Sequence, residues 1–271
     1  MISAVQAVNV SFSYNSSETI IEDINICIED NEFVAICGRN GSGKTTLLKI
    51  FTGLLRPGTG DVFIRGKNSR QCSISAIASE IGFVMQNPDR QLFCDTVYNE
   101  AAFALKCAKV PANEIKSRVT EALAACGLLD MQDAFPPALS RGERAKLVIA
   151  SVLAMGPKII IFDEPAGGQD YHSCCMIMDL AADLHRRGHT IIFVTHNMSM
   201  AARYARRIIV MENKRIVTDA SPEEVFCADS ELPHITAPQI TQLSRELRKC
   251  LALPKTALTV ESLGEMLLEL K

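Results

Sequence analysis

The run Gly38-Arg39-Asn40-Gly41-Ser42-Gly43-Lys44-Thr45 matches G-x-x-x-x-G-K-[ST], a spacing whose chemistry is phosphate binding. Glycines at Gly38, Gly41 and Gly43 let backbone N–H groups converge on an anion, and a following helix turns the positive end of its dipole toward it. Lys44 carries the charge to neutralise β- and γ-phosphates, and the Thr45 hydroxyl suits magnesium. With Asn40, Ser42 and Thr46, these residues form the expected nucleotide-binding set. A short apolar run, Phe33 to Cys37, precedes the loop and a helical pattern follows it, which is the context the motif requires.

A second constellation is Ile159-Ile160-Ile161-Phe162-Asp163-Glu164, two carboxylates at the end of a buried strand. Ligands of parallel sheets bind at the carboxyl ends of strands, where the phosphate loop also lies. Asp163 then suits magnesium, directly or through water, and Glu164 suits polarising a water for attack on a γ-phosphate. Alone, the pair would read as a solvated strand end; beside a phosphate loop it reads as catalytic. The guanine motif Asn-Lys-x-Asp is missing, because Asn213-Lys214-Arg215-Ile216 fails at its last position. Adenine is favoured by default. Leu139-Ser140-Arg141-Gly142-Glu143 has the form of a capping box, Ser140 capping and Glu143 reaching back. A capped helix start beside a glycine also suits a second phosphate, and the two readings are compatible.

Elements must position these groups. Val5–Tyr14 and Ile24–Glu29 alternate like half-buried antiparallel strands, and Phe33–Cys37 reads as a strand buried on both faces. A helix is expected from Lys44 to about Leu55, then a turn and a strand at Asp61–Ile64. Helical spacing dominates Val97–Ala108, Ala112–Cys126 and Glu143–Leu153. Lys158–Phe162, the helix Cys174–Arg187 and Thr190–Thr195 form a parallel crossover, so the chain is α/β. Arg207–Met211 and Arg215–Asp219 flank a hairpin turn. Ser221-Pro222-Glu223-Glu224 starts another helix, and two amphipathic stretches surround Pro254.

Bulk properties narrow the classes. The 271 residues carry a formal net charge of -3 and no Trp, which argues against an overall basic nucleic-acid surface or an aromatic stacking platform. Leu147–Phe162 is interrupted by Gly156, Pro157 and Lys158, too short and broken for a bilayer span. Met1–Val10 lacks the pattern of a signal peptide. Ten cysteines include no C-x-x-C pair and no zinc spacing, which fits buried thiols in a reducing cytosol.

Taken in order, the motifs resemble those of the ABC family of nucleotide-binding subunits across about Val5 to Ser221. The set is Tyr14 before the phosphate loop, Gln86 after a strand, the signature at Leu139–Glu143, Asp163-Glu164, Asp170 and His196. The resemblance implies a P-loop (RecA-like) core with an N-terminal antiparallel β subdomain and an α-helical subdomain at about 90–153. It implies a head-to-tail dimer with each ATP and magnesium ion between one phosphate loop and the opposing signature. Tyr14 would stack on adenine, and Gln86 would sense magnesium and a membrane partner. Ser140, Gly142 and Glu143 would serve the opposing ATP. Asp170 would couple the sites, and His196 would contact the γ-phosphate and help orient water.

Gln86-Asn87-Pro88-Asp89-Arg90-Gln91-Leu92-Phe93, followed by Thr96-Val97, resembles the energy-coupling-factor branch of ABC importers, as does the tail at Thr236–Ile240 and Leu258–Glu261. That likeness implies an ATPase domain at 1–230 and a C-terminal helical extension at 231–271 that helps pair two ATPases. The implied partners are a second ATPase subunit, identical or paralogous, a transmembrane coupling subunit and a small membrane protein that captures a vitamin or a cobalt or nickel ion. The implied place is the cytoplasmic face of the membrane, with no nucleic acid involved. Two departures stand out: Arg141 replaces the first signature glycine, and Ala166-Gly167-Gly168-Gln169-Asp170 replaces Thr-Ala-Gly-Leu-Asp. They leave room for a non-catalytic or asymmetric partner subunit. A soluble ABC ATPase is the other alternative, disfavoured because the chain has one ATPase domain and no long coiled coil.

Overall fold

The computed structural model describes residues 3–15, 18–165, 171–227 and 235–269. Two sheets organise them. The first is antiparallel, with β1 (Ser3–Asn15), β2 (Glu18–Glu29), β4 (Thr59–Ile64) and β5 (Lys67–Asn68) in the order β2-β1-β4-β5. The second has six strands: β3 (Phe33–Cys37), β6 (Ile81–Val84), β7 (Ile159–Asp163), β8 (Thr190–Val194), β9 (Arg207–Glu212) and β10 (Arg215–Ala220). Their order is β10-β9-β3-β8-β7-β6, parallel throughout except for the β9–β10 hairpin.

Side chains alternate across a strand, and β3 divides accordingly. Val34 and Ile36 enter the apolar layer shared with the antiparallel sheet, and Phe33, Ala35 and Cys37 enter the layer beneath the helices. β7 does the same, with Ile159 and Ile161 on one face and Ile160 and Phe162 on the other. That two-sided burial is why both strands read as unbroken apolar runs.

Helix α1 (Lys44–Phe51) lies between the sheets, burying Leu47, Leu48, Ile50 and Phe51. It is shorter than the expected Lys44–Leu55. Thr52 caps it, and Gly53 at φ 72° takes a left-handed turn that no helix continues through. Ile74–Glu80 forms α2, which the residue pattern did not signal; Ser73 caps it by accepting from the Ala76 N–H. The other layer contains α3 (Val97–Cys107), α4 (Ala112–Ala125), α5 (Arg141–Ala154), α6 (Tyr171–Arg186), α7 (Met198–Tyr204) and α8 (Pro222–Cys227).

The tail helices α9 (Gln239–Leu247) and α10 (Val260–Glu269) enclose a small apolar cluster of Leu253, Ala257, Leu263 and Met266. They are tied to the rest of the chain by polar contacts. Arg203 pairs with Glu261 at 2.9 Å, and Arg245 donates to the Phe226 carbonyl at 2.5 Å. Among the described residues no helix is long and apolar enough to cross a membrane.

Candidate functional site

The phosphate loop runs from the end of β3 into α1, and two of its glycines are demanded by close approach. Gly38 has φ 144°, and a Cβ there would lie 2.1 Å from the Met211 carbonyl oxygen. Gly43 has φ 101°, and a Cβ there would lie 2.4 Å from Ile21 Cγ2. Gly43 is also the N-cap of α1, so no side chain caps that helix, and its first turn has no acidic residue. Its leading N–H groups and positive dipole end are left for an anion. Lys44 Nζ donates to the Gly38 and Arg39 carbonyls, each at 2.8 Å, and so folds back along the loop. Burial draws its ammonium below the usual lysine range, against the pull of Glu164 and Asp163. Ser42 Oγ is buried with no hydrogen-bond partner, an orphan that a phosphate oxygen would satisfy.

Thr45 Oγ1 donates to Asp163 Oδ1 at 3.2 Å, joining the start of α1 to the end of β7. A hydroxyl and a carboxylate brought together from two elements form an oxygen donor set suited to a hard divalent cation. Burial holds the Asp163 carboxyl above its ordinary range and the charge of Glu164 adds to this, while the Thr45 bond opposes it. A carboxyl whose folded pKa is raised binds more protons folded than unfolded, so its ionised form costs stability at neutral pH. Asp163→Asn is therefore expected to raise the melting temperature of the ligand-free protein at neutral pH. The gap should close as pH falls through the raised pKa; a gap constant with pH would assign the gain to some other cause.

Glu164 follows at once, with φ 51°, a conformation uncommon for a residue with a side chain and often found at reactive positions. Its N–H donates to the Val194 carbonyl on β8 at 3.1 Å. Its two oxygens are claimed separately. Gln86 Nε2 donates to Oε2 at 3.0 Å, and His196 Nδ1 lies 3.5 Å from Oε1. Residues from the ends of β6, β7 and β8 thus meet on one carboxylate. It faces a cleft of about 910 Å3 whose wall includes Gly38 to Ser42, Glu164 and His196. A fixed carboxylate opposite a phosphate loop can hold and polarise a water aimed at a terminal phosphate.

Tyr14 is exposed at the end of β1, edge-on to Phe12, with its hydroxyl 3.4 Å from Thr46 Oγ1. Ser140, Gly142 and Glu143 form no part of the cleft wall. Ser140 and Glu143 complete a reciprocal capping box at the start of α5, with bonds of 3.3 and 2.8 Å. Asp170 lies outside the described residues. Sequence reasoning missed one side of the cleft: Glu212, Asn213 and Lys214 of the β9–β10 turn, and Ile235 and Thr236 before α9. The first group had a usable signal, since β9 pairs in parallel with β3 and must end beside the phosphate loop.

The family model described as ABC transporter matches residues 21–167. A putative ABC transporter ATP-binding protein of Caldanaerobacter subterraneus is 40% identical over 247 residues, covering 90% of this chain and 43% of that protein. A second, from Methanosarcina mazei, is 38% identical, covering 87% of this chain and 40% of its own length, so this chain spans about two-fifths of both relatives. The energy-coupling factor transporter ATP-binding protein EcfA2 of Caldanaerobacter subterraneus is 38% identical over 275 residues, covering 97% of this chain and 96% of that one. Among solved structures, CbiO1 of Clostridium perfringens, described as part of the ABC transporter complex CbiONQ, is similar at a TM-score of 0.78. It is 33% identical, covering 83% of this chain and 91% of that one. Phosphate loop, paired strand-end carboxylates and full-length likeness to EcfA2 agree, and the chain belongs to the ABC transporter family, among its energy-coupling-factor ATP-binding proteins.

Proposed function

We propose that this chain is the ATP-hydrolysing subunit of an energy-coupling-factor importer, powering uptake of a micronutrient through membrane partners. The observation that carries this reading is the Glu164 carboxylate held between Gln86 and His196 across a cleft from the phosphate loop. The loop N–H groups, Lys44 and Ser42 would bind the phosphates, and Tyr14 would cover adenine. Thr45 and Asp163 would hold magnesium, with Gln86 near it; the ion would supply charge neutralisation for the phosphates. Glu164 would take the proton of the attacking water, and His196 would orient that water beside the γ-phosphate.

Ser140, Gly142 and Glu143 stand away from their own chain's cleft, which supports their presentation to ATP bound by a second ATPase subunit. Asp170 would couple the two sites. Residues 1–230 would form the ATPase domain, with about 90–153 as its helical arm, and 231–271 a pairing extension. The separate apolar cluster of Leu253, Ala257, Leu263 and Met266 supports that division for the tail helices, while Ile235 and Ala237 root the extension in the main core. Phe93 is exposed and packs edge-on against exposed Phe103 at 4.7 Å, an apolar contact suited to a coupling helix of a transmembrane subunit. A small membrane capture protein would complete the assembly at the cytoplasmic face.

Purification of the chain from native membranes in mild detergent, followed by mass spectrometry, tests this reading. A multi-span subunit, a small membrane protein and an ATPase partner are expected to come with it. Recovery with soluble partners only, and absence from membranes, would overturn the transport role while leaving the ATPase.

A further inference from the structure

We infer that Arg144 is a positioning residue, a strut fixing the start of the signature helix α5 to the segment that carries Gln86. The inference rests on the proposed ATPase reading for its functional meaning and on the following geometry for its existence. Arg144 follows the capping box of Ser140 and Glu143, one turn into α5. Its side chain is only 22% exposed, because the guanidinium folds back toward the helix start. Nη1 donates to the carbonyl of Leu139, the residue just before the cap. Nε lies 2.8 Å from Asp89 Oδ1, a close charge contact off the hydrogen-bond axis.

Asp89 belongs to a tight turn, Pro88–Arg90, capped by Asn87, whose side chain accepts from the Asp89 N–H at 3.0 Å. Gln91 closes the segment on itself. Its Oε1 accepts from the Met85 N–H at 2.7 Å, and its Nε2 donates to the Phe83 carbonyl at 3.1 Å. Between those anchors stands Gln86, bonded to Glu164. Pro88 and Ala145 border one small cavity between the segment and α5, so the two elements also share an apolar face. A continuous path then runs from Glu164 through Gln86, the closed turn, Asp89 and Arg144 to Leu139.

Two features argue that this contact is directional. The Asp89 side chain is 59% exposed, so the ion pair alone contributes little to stability. The planar guanidinium, by contrast, engages two elements at once, donating to the Leu139 carbonyl and lying against the Asp89 carboxylate, which a lysine ammonium on its flexible stem does less well. The consequence is that Ser140, offered to one nucleotide, and Gln86, holding the carboxylate at another, move as one body.

The test uses the full chain with its ATPase partner. Arg144→Met should lower kcat by about ten-fold, the order expected when a reacting group is misplaced by a fraction of an ångström. ATP affinity at its own phosphate loop should stay unchanged. Arg144→Lys should restore part of the loss. Arg144→Met combined with Asp89→Asn should cost no more than Arg144→Met alone, since both remove one contact. Amide hydrogen exchange supplies a readout without catalysis: Asp89→Asn should speed exchange at 139–143, in an element to which Asp89 does not belong. Additive losses in the double variant, or unchanged exchange at 139–143, would overturn the strut. A parent protein without ATPase activity would instead sink the proposed function, and the exchange result would still decide the strut.

Discussion

Glu164→Gln is expected to lower steady-state ATP turnover by about 10²–10⁴-fold, the range for loss of a general base. Nucleotide affinity should hold. The substitution keeps size and keeps an oxygen for the Gln86 amide, now 3.0 Å from Oε2. What it removes is the negative charge and the proton-accepting oxygen that face the cleft. The strained backbone at φ 51° is set by the Val194 bond and is not altered by a change at the end of the side chain. Binding of a fluorescent ATP analogue and phosphate release, measured on the same preparation, separate the two effects. Turnover at the parent rate would exclude Glu164 as the base.

Lys44→Met is expected to act one step earlier, on binding. A hydrogen bond to a charged group contributes up to about 3 kcal/mol, so affinity should fall by roughly a hundred-fold. Two contributions combine, because Lys44 Nζ also ties down the Gly38 and Arg39 carbonyls. Lys44→Arg should be defective as well, since a planar fork does not reproduce the seat of a compact ammonium. Collapse of the fold is the competing explanation, and pH linkage argues against it. The folded-state pKa of Lys44 is lowered by burial, so its charged form costs stability at all pH values below that pKa. The methionine variant sheds that cost but forfeits the bonds to the Gly38 and Arg39 carbonyls, so its melting temperature should stay close to the parent's without nucleotide. A large drop in melting temperature would show that Lys44 is structural first.

The parts legible in the sequence were those fixed by local chemistry. The phosphate loop, the buried strands Phe33–Cys37 and Ile159–Asp163, and the capping box at Ser140 are each determined by a few adjacent residues. Likeness to a family assigned Gln86 and His196 to the same nucleotide site as the phosphate loop, which periodicity alone does not give. The contacts that stayed hidden join distant segments. Nothing near Arg144 announces Asp89, since two charged surface residues with 54 residues between them look like any solvated pair. The Thr45–Asp163 bond spans 118 positions and exists only because α1 and β7 are packed together. Helix α2 escaped for a different reason: seven residues with only Ile77 buried leave too weak a periodic signal.

Ile235 and Thr236 stand in the wall of the nucleotide cleft and lead directly into α9. Ile235 is itself buried in the main apolar layer, so this stretch is a doorpost of the cleft as well as the root of the tail. Evolution is thereby less free with the tail than its distance from the phosphate loop suggests. A change on the outer surface of a tail helix leaves the cleft untouched, but a shift in where the helix is rooted alters the room left for a bound ligand. Drift in this appendage is constrained from within, at the place where the chain enters it.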